Sequence, residues 1–253
     1  MYSAVHIHRK EDIKHGKAKK IEVSDTYYGK DGPDKGEYTQ YLNQNNLVIR
    51  EESIKNNKLF FRSKLQIDSI TGLVASRTVE IWHPVKGYSL EKTIYHYDKL
   101  GFFRGTTFYN ASGKRESEVV INVNEKGFPI ELANYDDKGN LLGGYETADY
   151  LYDQNRYIRT LLTHDGREVA KDTTVIDFEE EYKFHNPGRE YNQQGNIIRS
   201  HVTDNKYTLY EYKYDSKQNW TEQKQYELII QKNGKEKRKL QYLRTRKIEY
   251  WDE

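Results

Sequence analysis

Tyr207-Thr-Leu-Tyr-Glu-Tyr-Lys-Tyr-Asp-Ser-Lys-Gln-Asn-Trp-Thr-Glu-Gln-Lys-Gln-Tyr226 reads as one β-hairpin. Thr208, Tyr210, Tyr212 and Tyr214 fall on one face of the first strand at period two. Asp215 to Asn219 is turn material, and Trp220 opens the return strand. With Tyr214 opposite Trp220, Tyr212 faces Glu222 and Tyr210 faces Lys224. That face is aromatic and charged together.

Variants of this unit recur outward from it. Asn/Asp/Gly turns fall at Asn43–Asn46, Asp68–Gly72, Asp98–Gly101, Asn110–Gly113, Asn124–Gly127, Asp136–Gly139 and Asn192–Gly195, among others. Short, even spacing with such punctuation is the mark of a strand meander. Asp or Asn at the first turn position accepts hydrogen bonds from backbone two residues on, and Gly at the fourth takes positive φ without a Cβ clash. Together they build a type I turn closed by a glycine bulge. Asn155 and Asn219 are expected in the glycine role, since Asn tolerates the left-handed region. Residues 1–36 read as an irregular basic segment followed by a loop. Residues 164–192 break the rhythm. The expectation is an all-β fold in one continuous domain: a repetitive antiparallel meander of about fifteen strands over 40–250, as a single twisted sheet or a half-open spiral.

Composition supports a sheet with much exposed face. The apolar fraction is 35% and the charged fraction 32%, yet there are 23 Tyr, 8 Phe and 3 Trp. Disordered chains are poor in aromatics, and Tyr fits a half-buried pleated surface. The net charge of +2 gives no global field to steer nucleic acid or a membrane surface. Without cysteine there are no disulfides and no thiolate metal sites. No stretch approaches the roughly 18 apolar residues of a membrane-spanning helix.

The units Tyr95-His-Tyr-Asp-Lys-Leu-Gly-Phe, Asn134-Tyr-Asp-Asp-Lys-Gly-Asn, Tyr150-Leu-Tyr-Asp-Gln-Asn-Arg, Glu190-Tyr-Asn-Gln-Gln-Gly-Asn and Tyr212-Lys-Tyr-Asp-Ser-Lys-Gln-Asn resemble the YD repeats of the Rhs type. In that family a Tyr-Asp-x-x-Gly-(Asn/Arg) turn links consecutive antiparallel strands. The chain is similar to small bacterial cell-envelope proteins built from such repeats, which are often lipoproteins. The resemblance implies a meander or spiral, a periplasmic or surface location after removal of a leader, and a lipid anchor on the precursor. It supplies no catalytic residue and no cofactor.

Candidate sites divide by chemistry. His6-x-His8, with His15 near, offers imidazoles for a metal but no acidic or Cys partner at ligand spacing, so no metal is expected. The pairs Glu51-Glu52 and Asp136-Asp137, and Glu179 to Glu181, carry carboxylates. Sequence neighbours on a strand point to opposite faces, whereas glycoside hydrolysis needs two carboxylates flanking one cleft. No nucleophile elbow, phosphate loop or metalloprotease motif is present, so the chain is expected not to be an enzyme. The basic run Lys232 to Lys247 fits an edge or terminal strand guarded by lysines better than a nucleic-acid surface. The tyrosine stripe remains: Tyr210, Tyr212, Tyr214 and Trp220 are the candidate ligand-binding residues, for a glycan or a protein partner. The expected function is a non-catalytic envelope scaffold or binding protein. The alternatives are a cytosolic interaction module of antitoxin or immunity type and, behind it, a glycoside hydrolase.

Overall fold

A computed structural model of the chain describes residues 13–55, 58–176, 178, 188–231 and 233–251. Among these residues are seventeen β-strands, a 3₁₀ turn at Tyr152–Gln154 and no α-helix. The strands are β1 (Ala18–Gly29), β2 (Gly32–Leu42), β3 (Val48–Lys55), β4 (Lys58–Ile67), β5 (Val74–His83), β6 (Gly87–Tyr97), β7 (Phe103–Tyr109), β8 (Arg115–Val123) and β9 (Pro129–Asp136). They continue with β10 (Leu141–Leu151), β11 (Arg156–Leu162), β12 (Glu168–Val175), β13 (Arg189–Tyr191), β14 (Ile197–Thr203), β15 (Lys206–Tyr214), β16 (Trp220–Ile230) and β17 (Glu236–Tyr250). The all-β antiparallel meander expected from the turn spacing is the observed fold class.

The chain divides into two compact units, one over Ser63–His185, the other over Lys10–Arg62 and Asn186–Glu253. In the first, β5 to β12 pair each with its sequence neighbour, as a run of hairpins. In the second, β13 to β17 do the same. There β17 also pairs with β1, which pairs with β2, which pairs with β3. Among the described residues, the first strand thus lies beside the last.

Strands β1, β2 and β12 correct the sequence reading. Residues 25–36, expected as a loop, form the end of β1 and the start of β2, with Gly29 opposite Gly32 and Tyr27 opposite Asp34. Their glycines and charges look like loop text because the first six residues of β2 are exposed. Pro33 is tolerated because the pairing of β2 with β3 begins only at Tyr38. β12 also lies in the stretch read as a break, for a similar reason: its residues are nearly all exposed, so no apolar alternation marks it.

The turns work as their chemistry dictates. At Asp98 the carboxylate accepts the amides of Leu100 (2.9 Å) and Phe102 (3.0 Å), and the Gly101 amide donates to the Asp98 carbonyl at 3.0 Å. Asn110, Asn124, Asp136 and Asp215 repeat the pattern. At the last of these the residue with positive φ is Gln218 (63°), not Asn219; Asn155 does take the glycine role, at φ 51°.

Tyrosine hydroxyls then tie the turns together. Tyr97 donates to the Val74 carbonyl (3.1 Å), Tyr150 to Pro129 (2.7 Å) and Tyr212 to Ile197 (3.0 Å). Each tyrosine sits near the end of one strand and reaches back to the first residue of the strand before it. Tyr152, Tyr214 and Tyr250 reach back likewise, to Asn124, to Asn192 and Asn196, and to Asp215 and Asn219. This recurrent staple gives so many tyrosines a structural role.

The apolar cores are small. One cluster is Ala148, Tyr157 and Ile176, with Phe128, Tyr150 and Phe178 packed against it. The other is Ala18, Ile21, Val23 and Leu42, with Ile13, Tyr38, Val48 and Ile248. The stapled hydroxyls therefore matter for stability. Burial pushes Tyr97 from 10.0 up to about 12. Burial, with the Asp215 carboxylate alongside, pushes Tyr250 up to about 12 as well. A hydroxyl whose pKa is higher folded than unfolded adds stability that is complete below the unfolded value and is lost as pH rises through the folded one. Urea-melting midpoints are expected to fall between pH 10 and about 12, together with the rise of tyrosinate absorbance. A midpoint that holds steady through this window while the tyrosines ionise would refute the staple as a stabilising device.

Candidate functional site

The sequence-predicted residues lie in the second unit, on β15 and β16. Trp220 opens β16 and pairs with Tyr214 as expected. Beyond it the register shifts: Tyr212 lies opposite Gln223 and Tyr210 opposite Gln225, not Glu222 and Lys224. Thr221 is the extra residue. A bulge moves every later partner by one position, and nothing in the alternation of residues announces it.

The structure brings Tyr212, Tyr214 and Trp220 together. The Tyr212 ring centroid lies 6.2 Å from that of Tyr214 and 6.3 Å from that of Trp220, which it meets edge-on. The polar ends are already engaged. Tyr212 accepts from Gln223 Nε2 at 2.9 Å while donating to the Ile197 carbonyl. Tyr214 accepts from Asn192 Nδ2 at 2.7 Å and Asn196 Nδ2 at 3.0 Å. The Arg246 guanidinium lies 3.3 Å from the Trp220 ring centroid and donates through Nε and Nη2 to the Trp220 carbonyl. These three rings are held as parts of the sheet.

Tyr210 stands apart. An open groove of about 340 Å³ has Arg199, Arg238, Glu190, Glu211 and Leu228 in its lining as well as Tyr210. Arg199, however, lies opposite Leu209 and stacks on Tyr207, so those side chains share the Leu209 face while the Tyr210 ring points to the other. The Tyr210 ring is half-buried, and burial raises its hydroxyl pKa. Arg199 lies 3.6 Å from Glu190 through Nη1 and stacks at 4.0 Å on Tyr207, while its Nε is buried without an acceptor. Arg238 pairs with Glu211 at 3.8 Å, and Glu211 also accepts from the Tyr226 hydroxyl at 3.0 Å. Guanidinium and carboxylate groups set along an open groove can bond the hydroxyls of a ligand laid across them.

A second cluster escaped the sequence reading. Asp25 on β1 is 6% exposed. It accepts from Tyr242 (2.6 Å), Arg244 Nε (2.7 Å) and Arg244 Nη2 (2.9 Å) on β17. This hydrogen bond, with burial, raises the Tyr242 hydroxyl, and the carboxylate also holds Arg244 firmly in its charged form. At the other end of the same seam, Asn219 is 1% exposed. It accepts from the amides of Lys14 (2.8 Å) and His15 (3.2 Å) and donates to the His15 carbonyl (2.6 Å) and the Tyr250 hydroxyl (2.8 Å). The basic tail is accordingly no edge strand, since β17 is paired on both sides. The available signal was the period-two run Tyr242, Arg244, Arg246. Its partner Asp25 lies more than two hundred residues away, so the run could not be read as a pair.

The remaining candidates do not assemble. His6 and His8 lie outside the described residues, as do Glu179 to Glu181. Among the described residues no group of three His, Cys, Asp or Glu is placed to hold a metal ion. Glu51 and Glu52 pair separately, with Gln40 at 3.0 Å and with Arg62 at 2.6 Å. Asp136 folds into its own turn while Asp137 meets Lys114 at 2.9 Å.

No protein-family model matches the chain, and no curated protein sequence does. Among solved structures, a porin-like protein from Bacteroides uniformis aligns with 95% of this chain and 100% of its own, at 13% identity and a TM-score of 0.44. The Tc holotoxin pore of Photorhabdus luminescens aligns with 76% of this chain and 12% of its own, at 12% identity and a TM-score of 0.24. Both likenesses are too loose for the function of either protein to transfer.

Proposed function

We propose that the chain is a non-catalytic binding protein of the cell envelope that recognises a glycan in the groove lined by Arg199, Glu211 and Arg238. The observation that carries this reading is the open groove along which Glu190, Arg199, Glu211 and Arg238 present paired charges on one face of the sheet. Carboxylates accept from sugar hydroxyls and guanidinium groups donate to them. The groove is open and shallow, as an extended saccharide needs. The envelope location rests on the repeat resemblance. The non-catalytic reading is supported by the ion pairing of the groove's carboxylates, Glu190 with Arg199 and Glu211 with Arg238.

In this reading Tyr212, Tyr214 and Trp220 support the groove and do not line it. Two variants separate the roles on a glycan array read beside urea melting. Glu190→Ala combined with Glu211→Ala is expected to abolish binding while leaving the melting midpoint nearly unchanged, since both side chains are more than half exposed. Tyr214→Phe strips the acceptor from Asn192 and Asn196 and is expected to cost about 1–2 kcal/mol of stability while leaving affinity intact. An array blank for the unmodified protein would overturn the glycan reading and turn the search to protein partners.

A further inference from the structure

At the third position of the hairpin turns stands a residue whose amide donates to the turn Asp or Asn. In five turns this residue is Asn45, Ser112, Lys126, Lys138 or Lys217. In two it is Ile70 and Leu100. Those two side chains are 93% and 80% exposed. Turn chemistry favours small polar residues here, and neither side chain is used in packing. The two turns are neighbours in the first unit. β5 begins after one, β6 ends before the other, and the strands are paired antiparallel. They also touch, since a Cβ on Gly101 would lie 3.9 Å from Leu73 Cδ1. Two adjacent, rigid tips thus each present one large aliphatic side chain.

We infer that this end of the first unit docks on a lipid bilayer surface, with Ile70 and Leu100 inserted at the boundary between headgroups and acyl chains. The shape and size of the patch select this occupant. The side chains stand on protruding turns, not in a groove. Together they offer on the order of 200–300 Å², against about 800 Å² per partner in a stable protein interface. A bilayer needs no complementary surface, and shallow insertion of a few apolar groups is how peripheral proteins attach. Charge does not oppose contact. The Asp68 carboxylate faces its own turn amides, and Asp98 faces its turn amides and Arg104, leaving Lys99 beside Leu100. On the next turn along this end, Glu125 and Lys126 cancel. The apolar term dominates, so binding does not require anionic lipid. This inference stands independently of the glycan groove, which belongs to the other unit.

The test is co-flotation of the full chain with phosphatidylcholine vesicles, with and without added phosphatidylserine. The unmodified protein is expected to float with both and to stay bound at high salt. Burying one such side chain is worth about ten- to a hundredfold in partitioning. Ile70→Ser and Leu100→Ser should each weaken binding by that factor, and the double variant should abolish it. Serine suits both turn positions, so the fold is kept, and an unchanged melting midpoint verifies this. Val85→Ser is the control. Val85 is 87% exposed on the turn between β5 and β6, at the opposite end of those strands, and its loss should change nothing. Absence of flotation by the unmodified protein, flotation that salt abolishes, a double variant that floats as well, or equal loss in Val85→Ser would each overturn the inference. A blank glycan array has no bearing on it.

Discussion

Asp25→Ala is expected to lower the stability of the chain by about 3 kcal/mol or more, the lower part of the range for breaking a buried ion pair by removing one partner. The carboxylate holds both Tyr242 and the fork of Arg244. Removing it leaves a hydroxyl and a guanidinium at a seam that excludes most water. Arg244 keeps about a third of its side chain exposed, which places the loss at the lower end. Asp25→Asn tests charge against shape: it restores volume and one acceptor and should recover only part of the loss. Replacing Asp25 and Arg244 together by Leu should cost less than the sum of the two single replacements, because no orphaned charge remains. Urea denaturation of the four proteins completes the cycle. An Asp25→Ala protein within about 1 kcal/mol of the parent would mean that the seam is held by its backbone ladder alone.

Gly105→Ala is the second large effect. Gly105 lies in β7 at φ 130°, opposite Val120, and a Cβ there would stand 1.9 Å from the Val119 carbonyl oxygen. The obstacle is backbone, so no side-chain rotation relieves it and the β7–β8 ladder must part. A loss of about 3 kcal/mol or more is expected, at the upper end of single-substitution effects. Gly113→Ala is the comparison. Its φ is 76° but nothing lies within 4 Å of the added Cβ, so only the left-handed strain remains, about 1–2 kcal/mol. Equal losses at the two positions would show that backbone conformation, not the close approach, sets the cost at Gly105.

The candidate groove was hardly legible. Period two placed Tyr210, Tyr212, Tyr214 and Trp220 on one aromatic face, and the hydroxyls of Tyr212 and Tyr214 end on Ile197, Asn192 and Asn196, groups on another hairpin. The groove forms on the opposite face, where Glu211 meets Arg199 and Arg238, which come from β14 and β17. Neighbouring hairpins meet through backbone register, and the bulge at Thr221 resets that register without any mark in composition.

The sequence by itself determined the class of the fold, the position of nearly every turn and the geometry of those turns, because these are local. An Asp or Asn that caps its own backbone and a Gly free to take positive φ act within five residues, whatever surrounds them. It also determined that the sheet would be aromatic and sparingly packed, since 35% apolar residues cannot fill a thick core. Only the tertiary structure decided which strand lies beside which at the chain ends. The β1–β17 seam joins segments more than two hundred residues apart through Asp25 and Arg244. Loop text at 25–36 became strand because its two halves pair with each other and β17 flanks the first of them as far as Tyr27. Long-range pairing is bought with chain entropy and won by burial, and neither quantity is written in any short window of residues.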